Sequence, residues 1–232
     1  KNNLDVNKVY YYSNTLTDVS YKHTNGNSYT YKNAKYPMIY INDTWKYYNG
    51  SSWKNIPDKV SSGWNQRDND TIIYTLDSGL TGLKEASSAF ILATAESSEN
   101  SRIGVATFNA YGNNLSNLVN ARDNKDSLKQ KIASIYAAGG TSPQKGLSLA
   151  QTNLANSKRT DVPQYVILFT DGAPSEDSDR TSSETKAREL RKAGITIYTV
   201  GLKLNDETSN WLSESIASTN CAFTAANVDE LK

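Results

Sequence analysis

Val166-Ile167-Leu168-Phe169-Thr170-Asp171-Gly172 is an unbroken apolar run closed by a hydroxyl, a carboxylate and a glycine. A strand with one wet face alternates apolar and polar residues, whereas a continuous run suits a parallel strand buried on both faces. Upstream, Gly139-Gly140-Thr141-Ser142-Pro143 reads as a tight loop into a helix, with Ser142 as N-cap and Pro143 at the first helical position.

The pattern outward from these two stretches alternates strand and helix. A helix opened by Thr81 carries Leu83, Ala86, Phe90 and Ala93 at helical spacing. Strands follow at Ile103–Phe108 and Leu115–Val119, then a helix with Leu128, Ile132 and Ile135 on one face. The helix begun at Ser142 presents Leu147, Ala150 and Leu154, and a charged helix with Ala187, Leu190 and Ala193 ends at Gly194. Strand Ile195–Val200, a helix opened by Asp206 with Trp211, Leu212, Ser215 and Ile216, and strand Ala222–Thr224 complete the series. The implied class is α/β, a doubly wound, mostly parallel sheet flanked by helices on both faces. Such sheets bind ligands at the carboxyl ends of their strands. Asp171 lies at that end of its strand and Thr141 just before a helix N-terminus, and oxygen ligands on glycine-flanked loops suit a hard divalent cation.

Residues 1–76 read differently, as a β-rich arm preceding a core of residues 77–232. Pro37–Asn42 is strand-like, and Thr44–Tyr48, Asn49-Gly50 and Ser51–Ile56 form a hairpin signal in which Asn-Gly supplies a two-residue type I′ turn. Trp45, Tyr47, Tyr48 and Trp53, with Trp64, are either a carbohydrate- or protein-binding face or cross-strand pairs that hold the arm together.

Composition narrows the function. The chain has 232 residues, 37% hydrophobic, with net charge +1 and its Lys and Arg scattered, so no face tracks phosphates and nucleic acid is not an expected partner. Nothing is long and apolar enough for membrane insertion. A single cysteine, Cys221, and a single histidine, His23, allow neither an internal disulfide nor the usual zinc sets. Cys221 is expected in a buried terminal strand and His23 in a loop. No nucleophile–base pair or phosphate loop is visible, so an enzyme is not expected. Fifteen Tyr against four Phe suits a protein working outside a Gram-positive bacterium. The chain reads as a piece of something longer, closing at Asn227–Lys232 on the first turn of an unfinished helix. Ser175–Arg180 reads as an acidic loop that caps the following helix, or adds to a cation site.

Taken in order, Leu83–Ile91, Arg102–Phe108, Gly139-Gly140-Thr141, Phe169-Thr170-Asp171-Gly172 and Tyr198-Thr199-Val200-Gly201 resemble the von Willebrand factor type A family over roughly residues 80–232. The resemblance implies a metal-ion-dependent adhesion site. Thr141 and Asp171 match two of its ligands to Mg2+, or Mn2+ or Ca2+, with Ser142 and Asp77 as residues reaching the ion through water. The family's Asp-x-Ser-x-Ser loop is absent, and Asp77-Ser78-Gly79-Leu80-Thr81 is only a partial substitute. Two explanations stay open: residues 71–81 are a degenerate first strand and loop, or residues 1–76 are an arm inserted after a first strand that lies outside this chain. The Tyr- and Trp-rich β segment fits the second, as in pilus-tip adhesins with β-rich arms. The missing strand is then one that another polypeptide or the parent protein must supply. The resemblance implies a bacterial cell-surface or pilus adhesin binding an extracellular host or matrix protein. Metal-independent binding, of glycan or protein, through the aromatic arm and a structural role among pilus subunits are the alternatives.

Overall fold

The computed structural model describes residues 10–13, 21–24, 28–31, 36–42, 44–49, 51–55, 60–61, 71–74, 79–136, 139–157, 159, 161–174 and 176–225. The arm contains β1 (Tyr10–Ser13), β2 (Tyr21–Thr24), β3 (Ser28–Tyr31), β4 (Tyr36–Ile41), β5 (Thr44–Tyr48), β6 (Trp53–Asn55), β7 (Val60–Ser61) and β8 (Thr71–Tyr74). Six of these form one sheet in the order β6-β5-β4-β1-β8-β7, and β2 and β3 pair as a separate hairpin. β8 therefore belongs to the arm: it runs antiparallel to β1, with Tyr74 opposite Tyr11. Among the described residues β8 pairs only within that sheet and not with a core strand.

Two details of the arm differ from expectation. Tyr48 pairs with Trp53, so four residues, not two, make the β5–β6 connection. Asn49 organises it through its side chain, whose Oδ1 accepts from the Ser51 and Ser52 amides at 3.0 and 2.9 Å. The tight two-residue connection is instead the preceding one, where Ile41 pairs with Thr44 and Asn42 takes φ +48°. Asn tolerates that left-handed region better than most residues. His23, expected in a loop, sits in β2 opposite Tyr29, because β2 and β3 pair antiparallel.

The core runs α1 (Gly79–Ser97), β9 (Arg102–Phe108), β10 (Gly112–Asn120), α2 (Ala121–Ala133), α3 (Pro143–Asn156), β11 (Tyr165–Thr170), α4 (Asp177–Lys192), β12 (Thr196–Leu202), α5 (Asp206–Trp211) with a π-helical turn Leu212–Ile216, and β13 (Ala222–Ala225). β11, β12 and β13 are parallel and in order, and β9 pairs antiparallel with β10. Among the described residues the sheet is thus in two pieces, β10-β9 and β11-β12-β13. Val166, Leu168 and Ile197 face Leu147, Leu190 and Trp211 in one core. Ile91, Val105, Leu128 and Ile132 form a second. Cys221 stands one residue before β13 and is half-buried, not in a buried strand.

The arm is docked on the core. On β4, Ile39 and Ile41 pack on Ala133 at the end of α2, with Trp53 beside them. Lys129 of α2 donates to the Tyr40 carbonyl at 3.2 Å. Lys84 of α1 is 2% exposed, donates to the Ala133 carbonyl at 2.7 Å and lies 5.8 Å from the Tyr11 ring centroid. Burial lowers the Lys84 ammonium to about 8.

Candidate metal site

The two oxygen-bearing loops meet the ends of different strands. β11 ends at Thr170, whose Oγ1 donates to the Gly172 carbonyl at 2.6 Å and so bends the chain directly after Asp171. Asp171 is exposed, and its Oδ2 lies 3.9 Å from where a Cβ on Gly79 would stand, at the first turn of α1. On the other side, β9 ends at Phe108, and the Asn109 carbonyl accepts from the Ser142 amide at 3.0 Å. Gly139 has φ +83°, with the Asn109 side chain 3.3 Å from its would-be Cβ, so glycine answers both the backbone and the close approach. This clamp ties the Gly139–Ser142 loop to the carboxyl end of β9 and sets Thr141, half-buried, beside it.

Thr141 and Asp171 both line one cavity of about 1590 Å³ that runs between β9 and β11. Both residues are therefore at the carboxyl-end apex of the sheet, where ligands of doubly wound folds bind. Their donors are oxygens, which suit Mg2+, Mn2+ or Ca2+. They amount to one hydroxyl and one carboxylate, and the described residues hold no group of three or more His, Cys, Asp and Glu placed for a metal. An octahedral ion would need roughly four further oxygens. The residues fit a hard cation in kind and cover part of its shell.

The neighbouring candidates are placed as follows. Ser142 is 2% exposed and its hydroxyl bonds Asp179 Oδ1 at 3.1 Å, so it joins the starts of α3 and α4. Ser183 continues the joint, donating to the Asp179 carbonyl at 2.7 Å and accepting the Gln144 amide at 3.0 Å. Asp177 and Asp179 occupy the first turn of α4, as the capping reading of the acidic loop expects. Asn109 is the apex residue that sequence reasoning passed over, whereas Asp179 was read within the acidic Ser175–Arg180 run. Asp77 lies outside the described residues, as does Trp64.

The aromatic candidates of the arm do not share a face. Trp45 and Tyr47 are two apart on β5 and point one way, whereas Tyr48 and its partner Trp53 point the other. Trp45 is 6% exposed and packs edge-on to Tyr10 and Tyr40 at 5.4 and 5.5 Å. Tyr48 and Trp53 lie 5.3 Å apart on the side facing α2.

Comparison with known proteins agrees with this fold. The family model described as von Willebrand factor type A domain matches residues 76–232. No curated protein matches the chain. Among solved structures, the vWF domain of the type V pili tip protein Mfa5 from Porphyromonas gingivalis is similar with a TM-score of 0.55 at 16% identity, over 63% of this chain and 82% of that one. Proximal thread matrix protein 1 from the mussel byssus, with a zinc-occupied MIDAS motif, is similar with a TM-score of 0.51 at 23% identity, over 64% of this chain and 36% of that one. The SpRpn10 VWA domain is similar with a TM-score of 0.52 at 15% identity, over 65% and 80%. The chain spans little more than a third of the mussel protein, and at these identities the likeness is one of fold.

Proposed function

Because the chain belongs to the von Willebrand factor type A domain family, we propose that it is the binding module of a bacterial surface or pilus adhesin, holding an extracellular host or matrix protein through a divalent cation at the apex. The observation that carries this is that Thr141 and Asp171, at the carboxyl ends of β9 and β11, both line one cavity. With one carboxylate and one neutral hydroxyl from the protein, a bound Mg2+ or Mn2+ keeps much of its charge and several open positions. A carboxylate on the partner is the natural group to fill one. Thr141 and Asp171 then act as anchors that orient the ion toward solvent. The fold shared with a pilus tip protein and with a byssus protein carrying an occupied MIDAS motif supports the reading.

The same geometry disfavours a glycan platform on the arm, since its aromatics are divided between two faces and Trp45 is buried. The proposal contains no catalytic step, and turnover of esters, peptides or nucleotides by the pure chain would overturn that part. The test of the whole is calorimetric titration with Mn2+ alone, followed by adhesion to immobilised matrix proteins. Asp171→Ala is expected to weaken Mn2+ binding at least roughly tenfold, as loss of the one direct carboxylate would. Asp177→Ala, in the exposed first turn of α4, is expected to leave it unchanged. Adhesion that survives both chelator and Asp171→Ala would remove the cation from the mechanism.

A further inference from the structure

The apex carries two exposed tyrosines, and both belong to the same side of it. Tyr111 stands in the turn between β9 and β10 and is 79% exposed, and Tyr136 follows α2 and is 81% exposed. No other large apolar side chain among the described residues is as open to water. Their backbones are held while their rings reach into solvent. Asn109 Oδ1 accepts from the Tyr111 amide at 2.7 Å, and the Asn109 amide donates to the Tyr111 carbonyl at 2.9 Å. α2 starts at the end of the sheet opposite the apex, where the Ala121 amide donates to the Ser101 carbonyl at 2.9 Å, and climbs back. Near its end Lys131 donates to the Leu115 carbonyl of β10 at 2.6 Å. Beyond Tyr136, Gly139 meets the Asn109 side chain, so one asparagine joins the turn of Tyr111 to the loop that carries Thr141. Tyr111, Tyr136 and Thr141 all line the cavity that Asp171 also lines. A ring on a fixed backbone loses little freedom on contact, which suits tyrosine as an anchor at protein interfaces.

Charge divides the apex. From Asn109 to Asn120, and again from Ile132 to Gln144, the sequence has no Asp, Glu, Lys or Arg. The next charge on this side is Lys145, exposed in the first turn of α3. Its carbonyl oxygen and Cβ lie 3.2 and 3.3 Å from where a Cβ on Gly112 would stand, next to Tyr111. On the β11 side, by contrast, Asp171, Glu176, Asp177 and Asp179 precede any basic residue. A partner that offers a carboxylate to the ion is repelled by that acidic side. Toward the tyrosines it meets neutral residues and the Lys145 ammonium, so it leans that way.

We propose that Tyr111 and Tyr136 select the partner, and that the partner presents one carboxylate among aliphatic side chains on an extended segment. The carboxylate faces the ion, and the aliphatic flank packs on the two rings. This rests on the cation reading of the apex and adds which proteins that apex accepts. Dye-labelled peptides test it by fluorescence polarisation in Mn2+ buffer: one aspartate among leucine and valine, one among serine and glycine, and a run of aspartates. Mn2+ calorimetry on the same protein samples reports the ion site separately.

The aliphatic peptide is expected to bind about tenfold more tightly than the serine–glycine peptide, and Tyr111→Ser or Tyr136→Ser to remove most of that preference. Mn2+ calorimetry should not distinguish these variants from the native chain, since both rings are exposed. Tyr165→Ser, at an exposed tyrosine on the amino end of β11, is expected to leave the preference intact. The aspartate run is expected to bind worst, and Asp177→Lys to help it more than it helps the aliphatic peptide. Bound Mn2+ with no preference between the first two peptides, or a preference that both tyrosine exchanges leave intact, overturns this proposal and spares the cation site. Tighter binding of the aspartate run than of the aliphatic peptide overturns it in favour of a polyacidic partner. Failure of Mn2+ to bind removes the cation site, and this partner contact falls with it.

Discussion

Lys84 shows how a single residue couples the arm to the core. Its ammonium is 2% exposed, held by the Ala133 carbonyl at 2.7 Å and the face of Tyr11. Burial outweighs these partners and lowers it from 10.5 to about 8. The folded chain therefore binds this proton less tightly than the unfolded chain, and the charged form costs stability on the order of 3 kcal/mol below pH 8. That cost fades as pH rises from about 8 to 10.5, where the unfolded state binds more protons than the folded one. Urea unfolding of the native chain and of Lys84→Met across this range should show the native chain gaining relative to the variant. A constant difference would mean that Lys84 is solvated.

Among the elements, the arm's hairpin separates packing from recognition. Trp45 on β5 is buried against Tyr10 and Tyr40, so Trp45→Ala should destabilise the chain by about 3–5 kcal/mol through the cavity it leaves. Tyr47→Ala, on the same strand and half-buried, should cost far less, and thermal unfolding of the pair checks this. The core elements were legible because their signals are local: the apolar run of β11, Pro143 at the start of α3, Gly194 after α4 and the loops carrying Thr141 and Asp171. What escaped was set by pairing. The β5–β6 register depends on the Asn49 side chain, and the pairing of Tyr48 with Trp53 follows from that register. The apolar stripe of α1 was read correctly as a stripe, but nothing local shows that it faces a cavity while Lys84 and Glu85 are buried. The bond between Ser142 and Asp179 was hidden for the same reason, since it crosses from α3 to α4.

At the scale of the molecule, the described residues divide the sheet where a doubly wound fold is normally most continuous, with β10-β9 on one side and β11-β12-β13 on the other. α3 spans the divide, lying against both β9 and β11, and Leu147 is fully buried there. The edges of β9 and β11 that carry no strand among the described residues also form a template on which a neighbouring molecule can build. Isolated at high concentration, this chain should self-associate into pairs or strand-exchanged oligomers. Light scattering should rise with protein concentration, and Phe90→Asp, a charge at the mouth of the template, should suppress it. A domain of this build would carry its own aggregation hazard for as long as that gap is open, so protein chemistry on it calls for dilute handling.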